Sequence, residues 1–241
     1  MSNVKTYLPY LSAAFSSVIF GLSFLFSKKA LALAQPFELL SFRFLTAFLI
    51  MSLLVLTGAI KVNYRNKPLL YLLLLGLCQP VLYFIFETYG IKFAPSSQAG
   101  LMIALIPVFV AVLGAYFLKE IPSYRQFLFI FLSISGVIFI ILMGSSHSGA
   151  ISSAGTILLI FAVLSAAFFN ILSRKLSSKF SPFEITYFMM GLGALFFNII
   201  SIINHILSNN LPAYFILLKQ RDFLISRSEE HTSELQSLRH L

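Results

Sequence analysis

Seven runs of about twenty mostly apolar residues follow one another along the chain, and each is long enough to cross a bilayer. They cover Leu8–Ser27, Pro36–Thr57, Pro68–Tyr89, Ser97–Leu118, Gln126–Gly144, Ile151–Leu172 and Phe183–Asn204. A helix rises about 1.5 Å per residue and the hydrocarbon core is about 30 Å thick, so roughly 20 residues suffice. Inside lipid every backbone N–H and C=O needs a partner, and a helix supplies it from its own segment. The pattern predicts an all-α, polytopic transmembrane helix bundle. Only 10% of the residues are charged, against about 25% in a soluble domain, too few to coat a water-facing surface.

The few charges lie mainly between the runs, so the net charge of +9 reads as a topology signal rather than a nucleic-acid footprint. Short cytoplasmic loops are rich in Lys and Arg. With the N-terminus inside, the cytoplasmic segments hold Lys5, Lys61, Arg65, Lys67, Lys119, Arg125, Arg174, Lys175 and Lys179. The outer connectors hold Lys28, Lys29 and Lys92, with Lys219 and Arg221 added if residues 206–226 form a loop rather than an eighth helix. The imbalance predicts a multi-pass protein of the cell membrane with a cytoplasmic N-terminus. Met1–Tyr10 lacks the form of a signal peptide, so the first run is expected to stay as a helix. Cys78 is the single cysteine, which excludes an intrachain disulfide and a thiolate cluster.

One motif occurs twice. Ser27-Lys28-Lys29, a gap of six residues and Pro36-Phe37-Glu38 returns 146 positions later as Ser173-Arg174-Lys175, the same gap and Pro182-Phe183-Glu184. Phe42 likewise matches Phe188. Both copies join two apolar runs, the first and second in one case, the sixth and seventh in the other. A repeat of five crossings enters the membrane upside down on its second pass, which is the inverted-repeat plan of many secondary carriers. The expected organisation is a five-helix repeat over residues 1–145 and part of a second over 151–226.

Residues 227–241 break sharply with this composition. Arg227–Ser237 reads, codon by codon, as the translation of a common sequencing-library adapter, so the segment is expected to be foreign. A reading frame interrupted near Ser226 is expected to be inactive as it stands.

Several stretches resemble the EamA-like permeases of the drug/metabolite transporter superfamily. They are Leu82–Gly90, Ala94–Gly100, Ile106-Pro107 and Phe117-Leu118-Lys119-Glu120, with Arg43 early in the second run. The resemblance covers Leu8–Asn204. It implies two inverted five-helix repeats and transport of a small organic metabolite by alternating access. The first run reads Ile19-Phe20-Gly21 where a Trp-Gly pair is frequent in the family, and the chain has no Trp. Amino acids, nucleosides, sugars and aromatic compounds all remain open as substrates.

The candidate site residues follow from the cost of polar groups in lipid. Arg43 and Glu87 lie at similar depth from the same side, as a gate or as an ion pair that positions helices. Tyr83, Glu87, Gln98, Pro107 and Asn170 are candidates for lining a solute cavity. Pro80 and Pro107 interrupt their runs and free backbone carbonyls, while Glu120 closes the fourth run as a structural element. His147 and His205 stand apart, and there is no metal-ligand spacing or phosphate loop. No metal, cofactor or enzymatic activity is therefore expected. The expected partners are the solute, the lipid bilayer, a coupling ion such as a proton and, as an open alternative, a second copy in a homodimer. The competing reading is a polytopic membrane enzyme or assembly factor without transport.

Overall fold

The computed structural model describes residues 15, 18, 19, 21–119, 123–144 and 153–208. Helix α1 covers 21–30, α2 Pro36–Leu56 and α3 Leu69–Gly76. A π-helical segment, Leu77–Leu82, leads into α4, Tyr83–Phe93. Then come α5 (Ser96–Ile103), α6 (Ile106–Phe117), α7 (Tyr124–Gly144), α8 (Ser153–Leu176) and α9 (Pro182–Leu207). The described residues contain no strand. Five stretches are long and apolar enough to cross a membrane: Pro36–Leu56, Leu69–Phe93, Ser96–Phe117, Ser153–Leu176 and Pro182–Leu207. On α7 the side chains of Phe127, Phe129, Phe131, Leu132 and Phe139 are exposed, as suits a surface that meets lipid rather than water. Glu120, residues 209–226 and the segment 227–241 lie outside the described residues.

The two prolines act where the sequence places them. Gln79 leaves helical geometry at φ −148°, ψ 119°, because the Pro80 ring has no N–H and crowds the preceding residue. The Cys78 carbonyl there accepts the Ser165 hydroxyl of α8 at 3.2 Å. The fourth run divides at Ala104–Leu105, and Pro107 takes the first turn of α6, where a missing N–H costs nothing. Proline also begins α2 and α9, each with a glutamate at the third helical position. That carboxylate turns back to accept the backbone N–H before the helix, Gln35 in one case and Ser181 in the other, which satisfies an otherwise orphaned donor.

Packing is led by two pairs, α2 with α9 and α4 with α8. Lipid is as apolar as leucine, so helix association there rests on close contact and hydrogen bonds. Glycine supplies the contact. Phe44 of α2 lies against Gly193 of α9, where a Cβ would come within 2.7 Å of the ring. Gly155 of α8 meets Ala94, whose Cβ would be 3.0 Å from any added one. Phe44 also stacks on Phe197 at 5.3 Å and meets Phe84 edge-on at 5.0 Å, so one aromatic cluster joins α2, α4 and α9.

Helices α2 and α9 run antiparallel. Ser52, late in α2, lies 3.3 Å from the Tyr187 hydroxyl, early in α9. His205, late in α9, lies 2.7 Å from Glu38, early in α2. The two copies of the Pro-Phe-Glu motif therefore sit at opposite ends of this pair.

Candidate functional site

Polar groups inside the apolar spans gather where α2 meets α4. Arg43 is buried, at 7% exposure, with its guanidinium carbon 4.6 Å from the centre of the Phe84 ring. The ring face is negative, so it partly replaces the water that a guanidinium loses on burial. Tyr83 packs edge-on against Phe84 at 4.8 Å. Its hydroxyl donates to Oε1 of Glu87 at 2.9 Å, one helical turn further along the same face. Glu87 is 4% exposed. Arg43, Phe84, Tyr83 and Glu87 thus form a linked group, bringing together a guanidinium, a carboxyl group and a phenol.

The other expected cavity residues lie elsewhere. Gln98, on α5, donates through Nε2 to the Thr156 hydroxyl of α8 at 2.8 Å, while its Oε1 is buried with no hydrogen-bond partner. Asn170 is exposed on α8 and donates to the Ala166 carbonyl of its own helix at 2.8 Å. Pro107 is exposed at the start of α6. Pro80 is buried at the break between α3 and α4.

The ends of the bundle carry polar contacts that sequence reasoning missed. Glu184, at the start of α9, accepts the Asn63 N–H at 2.9 Å and the Lys67 ammonium at 2.6 Å. Tyr64 donates to the Glu184 carbonyl at 2.7 Å. Burial, then the neighbouring Glu184 carboxylate, pushes the Tyr64 phenol well above its ordinary range, so it remains a donor. At the other end Lys28 donates to the carbonyls of Ile91, Lys92 and Ala94 at 2.6, 3.0 and 2.8 Å. It thereby satisfies acceptors left over where α4 stops. The repeated motif pointed to both glutamates, but their partners lie more than a hundred residues away in the chain and follow no local pattern.

Comparison with known proteins gives a consistent result. Residues 8–142 match the EamA-like transporter family. The chain is similar to the uncharacterized transporter YcxC of Bacillus subtilis (strain 168), with 37% identity over 217 residues, covering 90% of this chain and 70% of that protein. It is also similar to an uncharacterized transporter of Archaeoglobus fulgidus, with 26% identity over 182 residues that cover 76% of this chain and 63% of that protein. A third relative, the uncharacterized transporter YetK of Bacillus subtilis (strain 168), is 27% identical over 193 residues, which cover 78% of this chain and 58% of that protein. The chain thus spans 58–70% of the length of these relatives.

Proposed function

The chain belongs to the EamA-like transporter family, and from that premise we propose that it forms the solute-handling part of a secondary-active carrier working by alternating access. It is a multi-pass membrane protein, which in this reading sits in the cell membrane with a cytoplasmic N-terminus. The observation that carries the proposal is the buried group of Arg43, Tyr83 and Glu87 between apolar helices. Charges at such depth persist in membrane proteins when they pair with one another or meet a water-filled pathway.

The chemistry fits a small polar metabolite such as an amino acid. A guanidinium offers several N–H donors to a carboxylate, and a glutamate beside a phenol can take an ammonium or a proton. Pro80 and Pro107 mark broken spans, and irregular backbone at membrane depth is tolerated where it is buried in protein or lines a cavity. Gln98 and Asn170 extend the polar path in this reading. The antiparallel α2–α9 pair supports two inverted halves that rock about the solute. The direction of movement then follows the gradients of solute and coupling ion. A homodimer is compatible with the proposal and is not needed for it.

The test is exchange of labelled metabolites in proteoliposomes made with the uninterrupted reading frame, its second repeat complete. Glu87→Gln is expected to slow exchange about tenfold or more, the scale of losing one charge-assisted contact of about 1.5–3 kcal/mol. Unchanged exchange removes Glu87 from the mechanism. No exchange with any of a broad set of amino acids, nucleosides, sugars and aromatic acids returns the protein to the non-transport reading.

A further inference from the structure

The α2–α9 contact holds a second titratable group, separate from Arg43 and Glu87. His205 Nε2 lies 2.7 Å from Glu38 Oε1, with the side chains 11% and 13% exposed. The other Glu38 oxygen accepts the Gln35 N–H at 2.6 Å. One turn back along α9, the Ser201 hydroxyl is buried at 1% exposure without a hydrogen-bond partner. Asn198 then donates to the Ser41 carbonyl of α2 at 3.1 Å. A carboxylate offers only acceptors, so this contact is an attractive ion pair when the imidazole is protonated.

The opposite end of the same helix pair has the same acid on a different base. Glu184 stands in α9 where Glu38 stands in α2, two positions after the proline, and its partner is Lys67 at 2.6 Å. A lysine ammonium keeps its charge through the physiological range, whereas an imidazole gains or loses its charge between about pH 5 and 8. One end is therefore fastened by a permanent cation and the other by a cation that depends on pH.

We infer that Glu38 and His205 form a proton-binding site that fastens their end of the α2–α9 contact when the imidazole is charged and loosens it when the imidazole is neutral. The ligand is a single proton, taken from water onto the imidazole; no other bond forms or breaks. Glu38 is the acid that faces His205 from α2. The other charged or titratable groups described at this end are Lys28 and Lys29 on α1, and Tyr89 and Lys92 on α4. Lys28 is held by three carbonyls, Lys29 lies over Phe26 at 5.9 Å, Tyr89 meets Phe37 edge-on at 5.7 Å and Lys92 reaches the Gln35 side chain at 3.2 Å. In a carrier that opens at alternate ends, this site would couple closure of one end to uptake of a proton. That consequence rests on the transport reading above; the site itself does not.

The experiment is reversible SDS unfolding of the whole chain in detergent micelles between pH 8 and 5.5, above the range in which carboxylates protonate. The charged contact exists at low pH and is lost as pH rises, so the folded fraction should increase on acidification. About a tenfold change in the unfolding equilibrium constant is expected, the scale of one charge-assisted contact. His205→Asn and Glu38→Gln should each flatten that response, and His205→Lys should hold the low-pH stability at pH 8. A His205→Asn chain with the full pH response overturns the inference. Should that variant fail to fold, an undiminished pH response in His205→Lys overturns it equally. Solute exchange is measured separately, on the uninterrupted reading frame: a pH response that maps to His205 without any exchange there removes the transport reading and leaves the proton site standing.

Discussion

The two ends of the α2–α9 pair share a plan and differ in how they are closed. Each begins a helix with proline and turns a glutamate back onto the preceding backbone N–H. At the Glu184 end the carboxylate also takes a loop N–H from Asn63 and the Lys67 ammonium, so a whole connector, residues 57–68, is drawn onto the start of α9. At the Glu38 end the partner is His205 from the other helix. The difference teaches that a repeated motif fixes where the acid stands, while the element packed opposite decides what kind of lock it becomes. A loop tied at three points resists opening more than one imidazole contact does.

The largest expected effect comes from separating the two helices that join these ends. Gly193→Leu would drive a side chain into Phe44 and should cost about 3 kcal/mol, the upper part of the range for overpacking. SDS unfolding in micelles measures it, and a loss below 1 kcal/mol would show that the ends are not held by a close α2–α9 contact. Lys67→Met comes next. It leaves the Glu184 carboxylate, 5% exposed, without its cation. The full penalty for breaking a buried pair is roughly 3–5 kcal/mol, and the partial exposure of Lys67 reduces the expected loss to about 2. The same loss from His205→Asn at pH 8 would erase the proposed contrast between the ends.

Smaller effects sharpen the comparison. Tyr83→Phe removes the hydroxyl that serves Glu87 and should destabilise the chain by about 1 kcal/mol, with slower solute exchange as the functional readout. Ser181→Ala deletes the side-chain acceptor for the Glu184 N–H and should cost about 1 kcal/mol. Gln35→Ala should cost less, because the contribution of Gln35 to Glu38 is its backbone N–H, which survives the substitution. Equal losses at the two caps would mean that the Gln35 side chain contributes more than its contact with Lys92 implies.

Five of the seven expected spans recur among the described residues, and they were legible because length and apolarity are local properties. Pro36 and Pro182 marked helix starts for the same reason, and Pro80 marked a break because its ring acts on its own turn. The third span nevertheless reaches Phe93, four residues past Tyr89, since Lys28 from another helix takes up its final carbonyls. Glu87 and Arg43 were recognisable from the cost of charge in lipid. Phe84, which links Arg43 to Tyr83, was one phenylalanine among 27 and carried no sign of its role. Gln98 looked like a cavity residue, and its contact with Thr156 appears only once α5 lies against α8.

The amino-acid sequence by itself determined a membrane-spanning helical protein of the EamA-like family, with a turn motif used twice and a few ionisable groups held in apolar spans. Those follow from composition, spacing and the hydrogen-bonding demands of a backbone in lipid, all of which act within a segment. Only the tertiary structure decided that Glu184 meets Lys67, that Glu38 meets His205 and that Arg43 rests on Phe84. Such contacts depend on which helix faces come together, and close approach at Gly193 and Gly155 sets that through shape rather than through any local signal.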